Sequence, residues 1–214
     1  MSRLIYVVRA LELVCAVVCC VQLYRGERAT LAGPALFAVC LHMQYPSPGR
    51  GVGRPAGALP GLQLLHPEGA TLQKILGKGG GLLGGHGYVI IFWRNNKACH
   101  KALPTLERMC RRCESVAKLH FVLVCRDAKA DLQALVKKQP FSTLTLPLAY
   151  DGPEQANANY MGAFGCITVP HAFVVGTDGV ILWHGNYARK ALTQSVSQLA
   201  KALVAPAKKE KKAQ

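Results

Sequence analysis

Acidic side chains are scarce in this 214-residue chain: 11 Asp and Glu stand against 26 Lys and Arg, for a net charge of +15. So one-sided a balance excludes a surface neutralised by its own charges. It favours anionic partners, whether acidic small molecules, acidic protein segments, nucleic acid or membrane. Stacking aromatics are not interleaved with the bases as single-strand binders require, so nucleic acid is disfavoured. Long apolar runs are also missing. LVCAVVCCVQLY (13–24) is bracketed by Glu12 and Arg25 and is short for a membrane span, and Pro34 interrupts the apolar stretch 29–42. A phosphate-binding loop is excluded because Lys78, in the glycine run 78–87, is followed by Gly79 rather than Ser or Thr. Cys110 and Cys113 are spaced as Cys-x-x-Cys, but no second Cys/His pair matches them. No metal and no cofactor are expected.

What is present is enough apolar material for one core, half of the residues being hydrophobic. The nine Cys are odd in number, and those of the globular part fall mostly in apolar runs where a reduced Cys acts as a small hydrophobe. A reducing compartment, and hence a cytoplasmic location, is favoured. Three readings of the first 42 residues stay open. They form a signal anchor, which would add a membrane association; or a mitochondrial presequence, supported by Arg3, Arg9, Arg25 and Arg28 but opposed by Glu12 and Glu27; or they lie outside the functional protein, with Met43 as its start.

Composition divides the chain into an N-terminal extension and linker (1–57), a folded domain (58–204) and a basic tail (205–214). PSPGRGVGRPAG (46–57) reads as an irregular linker. YVIIFW (88–93) and HFVLVC (120–125) are continuous apolar runs, as expected of strands covered on both faces. Helical patterns occupy about 97–119, 127–138, 154–161 and 187–203. A short helical pattern also follows the Pro-Glu-Gly turn within 62–76, and a looser segment reaches LPLAYD (146–151). AFVVG (172–176) and VILWHG (180–185) flank Thr177-Asp178-Gly179, a strong hairpin signal. The order predicts an α/β fold: a central mixed sheet with helices on both faces.

Order and local residues together resemble the thioredoxin-like redoxins, in the thiol:disulfide oxidoreductase and alkyl hydroperoxide reductase superfamily. Two motifs carry the resemblance. One is YVIIFW followed by a Cys five residues before a helical Pro. The other is GCITVPHAFVVGTDGVILWHG (165–185). The resemblance implies the thioredoxin fold, with partners that are protein or small-molecule thiols and disulfides. It also implies a Cys-x-x-Cys at the start of the helix after the central strand. There the first thiolate attacks, favoured by the helix N-terminus, and the second resolves the mixed disulfide.

Measured back from Pro104, Cys99 falls at the second Cys and Asn96 at the first, so the motif reads Asn96-Lys97-Ala98-Cys99. The attacking thiol is replaced by one of the best N-capping side chains. Helical phase places residues 99, 102, 103, 106, 110, 113 and 117 on one stripe roughly 100° wide, so Cys99 should be sheltered and Cys110 and Cys113 should pack inward. Two functions are open: exchange through Cys99 alone, or a non-catalytic thioredoxin-fold binding module. The resemblance further implies a cis bond at Val169-Pro170, facing the motif. Trp93, Lys97, His100, Val169 and His171 are expected to line the substrate groove. Cys166 is an alternative redox partner for Cys99, although its position is usually a core hydrophobe. No Pro-x-x-x-Thr loop precedes Cys99, which argues against a peroxidase. Residues 94–138 hold eleven Lys/Arg against four Asp/Glu, a local field suited to an acidic partner.

Overall fold

The computed structural model describes residues 52–66, 75–187 and 190–204. The expectations for the first 42 residues, the helical pattern within 67–74 and the basic tail lie outside them. Among the described residues, no helix is long and apolar enough to cross a membrane.

Six strands form one mixed sheet. They are β1 (Gln63–His66), β2 (Gly87–Trp93), β3 (Leu119–Cys125), β4 (Leu148–Tyr150), β5 (His171–Val175) and β6 (Ile181–Asn186). The helices are α1 (Lys97–Arg112), α2 (Lys129–Val136), α3 (Gln155–Asn157, continued by a π-helical turn, Ala158–Gly162) and α4 (Lys190–Val204). The strand order is β1-β4-β3-β2-β5-β6. β2, β3 and β4 run parallel, while β1, β5 and β6 are antiparallel to their neighbours.

Every residue of β2 is buried, because helices cover both faces of the sheet. Side chains alternate across a strand, and the two sets have different company. Val89, Ile91 and Trp93 join Ala172 and Val174 of β5 in a core with the inner faces of α1, α2 and α4. Phe92 points the other way and meets Tyr160 beside α3 and Phe173. This alternation decides which candidate residues share a site.

Several boundaries differ from the sequence reading. α1 ends at Arg112, short of residue 119, because the Cys113 N–H turns back to Cys110 and tightens the last turn. The looser segment after Pro140 contains the short parallel strand β4, whose pairing partners on β3 lie more than twenty residues away in the chain. The hairpin forms, with Gly176 N–H bonded to Val180 O at 2.8 Å. Gly179 sits at φ +76°, a conformation that Asp-Gly turns supply at little cost.

Candidate functional site

Residues Arg94 and Asn95 turn the chain from the C-terminal end of β2 into α1. Asn96 is the N-cap: its backbone is extended (φ −138°, ψ 165°) and its Oδ1 accepts the Cys99 N–H at 2.9 Å. The turn is held from below by Asp127, just beyond β3. Asp127 accepts from Arg94 Nε at 2.9 Å through Oδ1 and from the Asn95 N–H through Oδ2. Burial would raise the Asp127 carboxyl, but the Asn95 N–H, the Arg94 guanidinium and the Cys125 thiol outweigh it and hold the group below the usual carboxylate range. Nothing in the local spacing marks this clamp, since Asp127 is more than thirty residues from the turn it fixes.

Cys99 occupies the third position of α1 and is 0% exposed. Its sulfur accepts a contact from the Arg94 N–H at 3.4 Å. Burial pushes the thiol above its ordinary value and the Asp127 charge adds to this, while the Arg94 N–H only partly opposes it. Both effects favour the protonated thiol over the thiolate. No disulfide involves any of Cys99, Cys110, Cys113, Cys125 or Cys166. Cys113 is buried and Cys110 packs against the same core. Burial and the Glu107 charge push the Cys110 thiol to about 11. Burial above all sends the Cys125 thiol to about 12.

Around Cys99 the candidates separate. Trp93 is buried on the α1 side of the sheet, and its indole Nε1 finds no hydrogen-bond partner among the described residues. The His100 ring lies 5.5 Å from Trp93 and 5.3 Å from Phe141, and its Nε2–H donates to Asn95 Oδ1 at 2.7 Å. Lys97 is exposed, and α1 carries no acidic residue in its first turn. Lys97, Lys101, Arg108 and Arg112 face solvent without an ion pair to any described residue. Arg111 is instead joined to Glu107, a mostly buried acid that also accepts from Thr145 and Leu146 and so ties α1 to the segment before β4.

The Val169-Pro170 peptide is cis. His171 follows it directly and pairs with Phe92, which sets Pro170 beside the end of β2, where α1 begins. The expectation that His171 lines the same groove as His100 is corrected here. His171 shares its sheet face with Phe92 and Phe173, away from Cys99, because side chains alternate along β5.

On that second face His171 Nε2 and His184 Nδ1 lie 3.1 Å apart. Sequence reasoning missed this pair because His184 reaches His171 across the β5–β6 hairpin, a spacing unlike any local motif.

Residues 81–184 match the model of the AhpC/TSA family. No curated protein matches the chain. Solved structures similar to it include a candidate protein disulfide isomerase from Bacteroides thetaiotaomicron (TM-score 0.54, 18% identity, 70% of this chain and 90% of that one). A candidate thiol:disulfide interchange protein DsbE from Chlorobium tepidum superposes with TM-score 0.50 at 20% identity, over 74% of this chain and 100% of that one. A candidate thiol-disulfide oxidoreductase from Bacteroides vulgatus gives 0.53 at 11% identity, over 71% and 98%. At such identities the likeness speaks for the fold. Sheet order and the placement of α1 after β2 agree with these likenesses: the chain has a thioredoxin-like fold, and its residues 81–184 are similar to the AhpC/TSA family.

Proposed function

We propose that this thioredoxin-like protein has lost disulfide turnover and serves as a binding module, with the old exchange centre kept as the structural start of α1. The observation that carries this is the state of Cys99: fully buried, raised in pKa, and roofed by a turn that Asn96 caps. An attacking sulfur must be exposed and ionised. Cys99 is neither, and Asn96 has no sulfur to offer. In this reading the groove beside Val169 and Pro170 receives an extended segment of a partner protein. Lys97 and Lys101 at the adjoining helix end, without an ion pair to any described residue, favour an acidic one.

The test is alkylation of Cys99 in the folded full-length protein, followed by mass spectrometry across pH, with Cys99→Ser as the site control. Slow labelling with a midpoint above the free-thiol value of about 8.5 is expected. Rapid labelling near pH 7 would overturn the reading and return single-thiol exchange through Cys99 in its place.

A further inference from the structure

We propose that the solvent face of α1 is a docking surface for an extended acidic protein segment, held by Lys97, Lys101, Arg108 and Arg112. This deepens the binding reading above and rests on it, because it names the partner's chemistry and extends its contact along the helix.

The four bases are exposed and have no ion pair to any described residue. At about 100° per residue they fall within roughly 60° of one another around the helix. The opposite side carries Cys99, Ala102, Leu103 and Leu106, which are buried in the core. Packing of that side therefore turns the basic row outward. From Lys97 to Arg112 the row runs roughly 22 Å, at about 1.5 Å per residue. Arg111 lies at its border but is tied to Glu107 at 2.9 Å.

Helix stability does not account for the row. Arg112, in the last turn, suits the negative end of the helix dipole. Lys97, in the first turn, meets the positive end, and no acidic residue stands there to offset it. A carboxylate brought by a partner is attracted there by Lys97, by Lys101 and by the dipole together.

The form of the row selects the partner. The exposed large apolar side chains among the described residues are Val52, Ile167, Leu182 and Val204, none of them on α1. This face thus has nothing to insert into a lipid surface. None of the four is aromatic, as stacking on single-stranded nucleic acid requires. A duplex presents two phosphate rows, and a single line of bases meets only one of them. An extended acidic segment fits directly: at about 3.3 Å per residue, roughly seven residues span the row. Its alternate side chains, about 6.6 Å apart, match the steps of about 6 Å from Lys97 to Lys101 and from Arg108 to Arg112. Each exposed ion pair raises affinity only about 1.4- to 5-fold, so the complex is weak and sensitive to salt.

The probe is a fluorescent oligoglutamate of about twelve residues. It is titrated into the full-length protein and followed by anisotropy at about 50 mM and about 200 mM salt. A duplex oligonucleotide of equal charge and phosphatidylserine vesicles are measured beside it. The peptide should bind, and binding should weaken as salt rises. Arg108→Glu with Arg112→Glu should lower affinity roughly 10-fold or more. Arg108→Gln with Arg112→Gln, a milder pair that keeps the fold where reversal does not, should lower it in the same direction. Lys208→Glu with Lys209→Glu, in the basic tail, makes the same change in net charge and should cost less than about 3-fold. Equal losses in the helix and tail variants would overturn the proposal. So would tighter binding of the duplex or the vesicles than of the peptide at equal salt. The two readings fail separately. Rapid Cys99 alkylation with peptide binding still lost in the helix variant would strike the loss of turnover and keep this surface. Slow alkylation with no effect of the helix variant would strike the surface alone.

Discussion

Replacing Asn96 by Ala deletes the oxygen that accepts the Cys99 N–H at 2.9 Å, while an exposed, extended residue keeps its backbone unstrained. Loss of such a cap costs about 0.5–2 kcal/mol. The Cys99 N–H is only partly buried, and water can replace part of the bond, so the middle of that range, about 1 kcal/mol, is expected. For a domain of this size that is roughly 2–4 °C in Tm. Asn96→Asp keeps the accepting oxygen and adds a negative charge at the positive end of α1, next to Lys97. It should match or exceed the wild type, by up to about 1 kcal/mol at low salt. Urea unfolding followed by circular dichroism measures all three proteins. The order Asp at or above Asn, and Asn above Ala, should appear as midpoint shifts at constant slope. An Ala variant as stable as the wild type, or an Asp variant less stable than Ala, would refute a capping role for Asn96.

Two further outcomes follow from the same turn. Asn96→Cys places a thiol at the cap, where the helix N-terminus and Lys97 favour its anion. Labelling should give that new thiol a pKa below about 8.5, and mild oxidation should join it to Cys99; an ordinary or raised pKa would remove the helix-end argument. Asp127→Asn tests the clamp. The folded carboxyl lies below its ordinary 3.8, so it stabilises the native state above the unfolded value, and that contribution is lost as pH falls through the folded one. The variant should be less stable at neutral pH and should show a flatter loss of stability on acidification below about pH 4. An acid limb as steep as in the wild type would count against the clamp.

The start of α1 and the His171–His184 pair differ in how far sequence could reach them. Asn96 and Cys99 are three residues apart, so capping and helical phase connect them without knowledge of the rest of the chain. The same is true of β2 and β3, whose unbroken apolar runs report burial on both faces. β4 was not legible: three residues after a proline carry too little pattern, and only pairing with β3 makes them a strand. His171 was placed by its nearness to Pro170 in the chain, yet one residue along a strand reverses the face.

Local order along the chain therefore determined the class of fold, the start of α1 and the sheltered position of Cys99. Each depends on periodicity or on neighbours within a helical turn. Tertiary structure alone decided the Asp127 clamp and the meeting of His171 and His184. These join residues from separate strands and loops, whose contact depends on sheet register and on which face each side chain takes. A hydrogen-bond set assembled across strands leaves no spacing to read until the strands are paired.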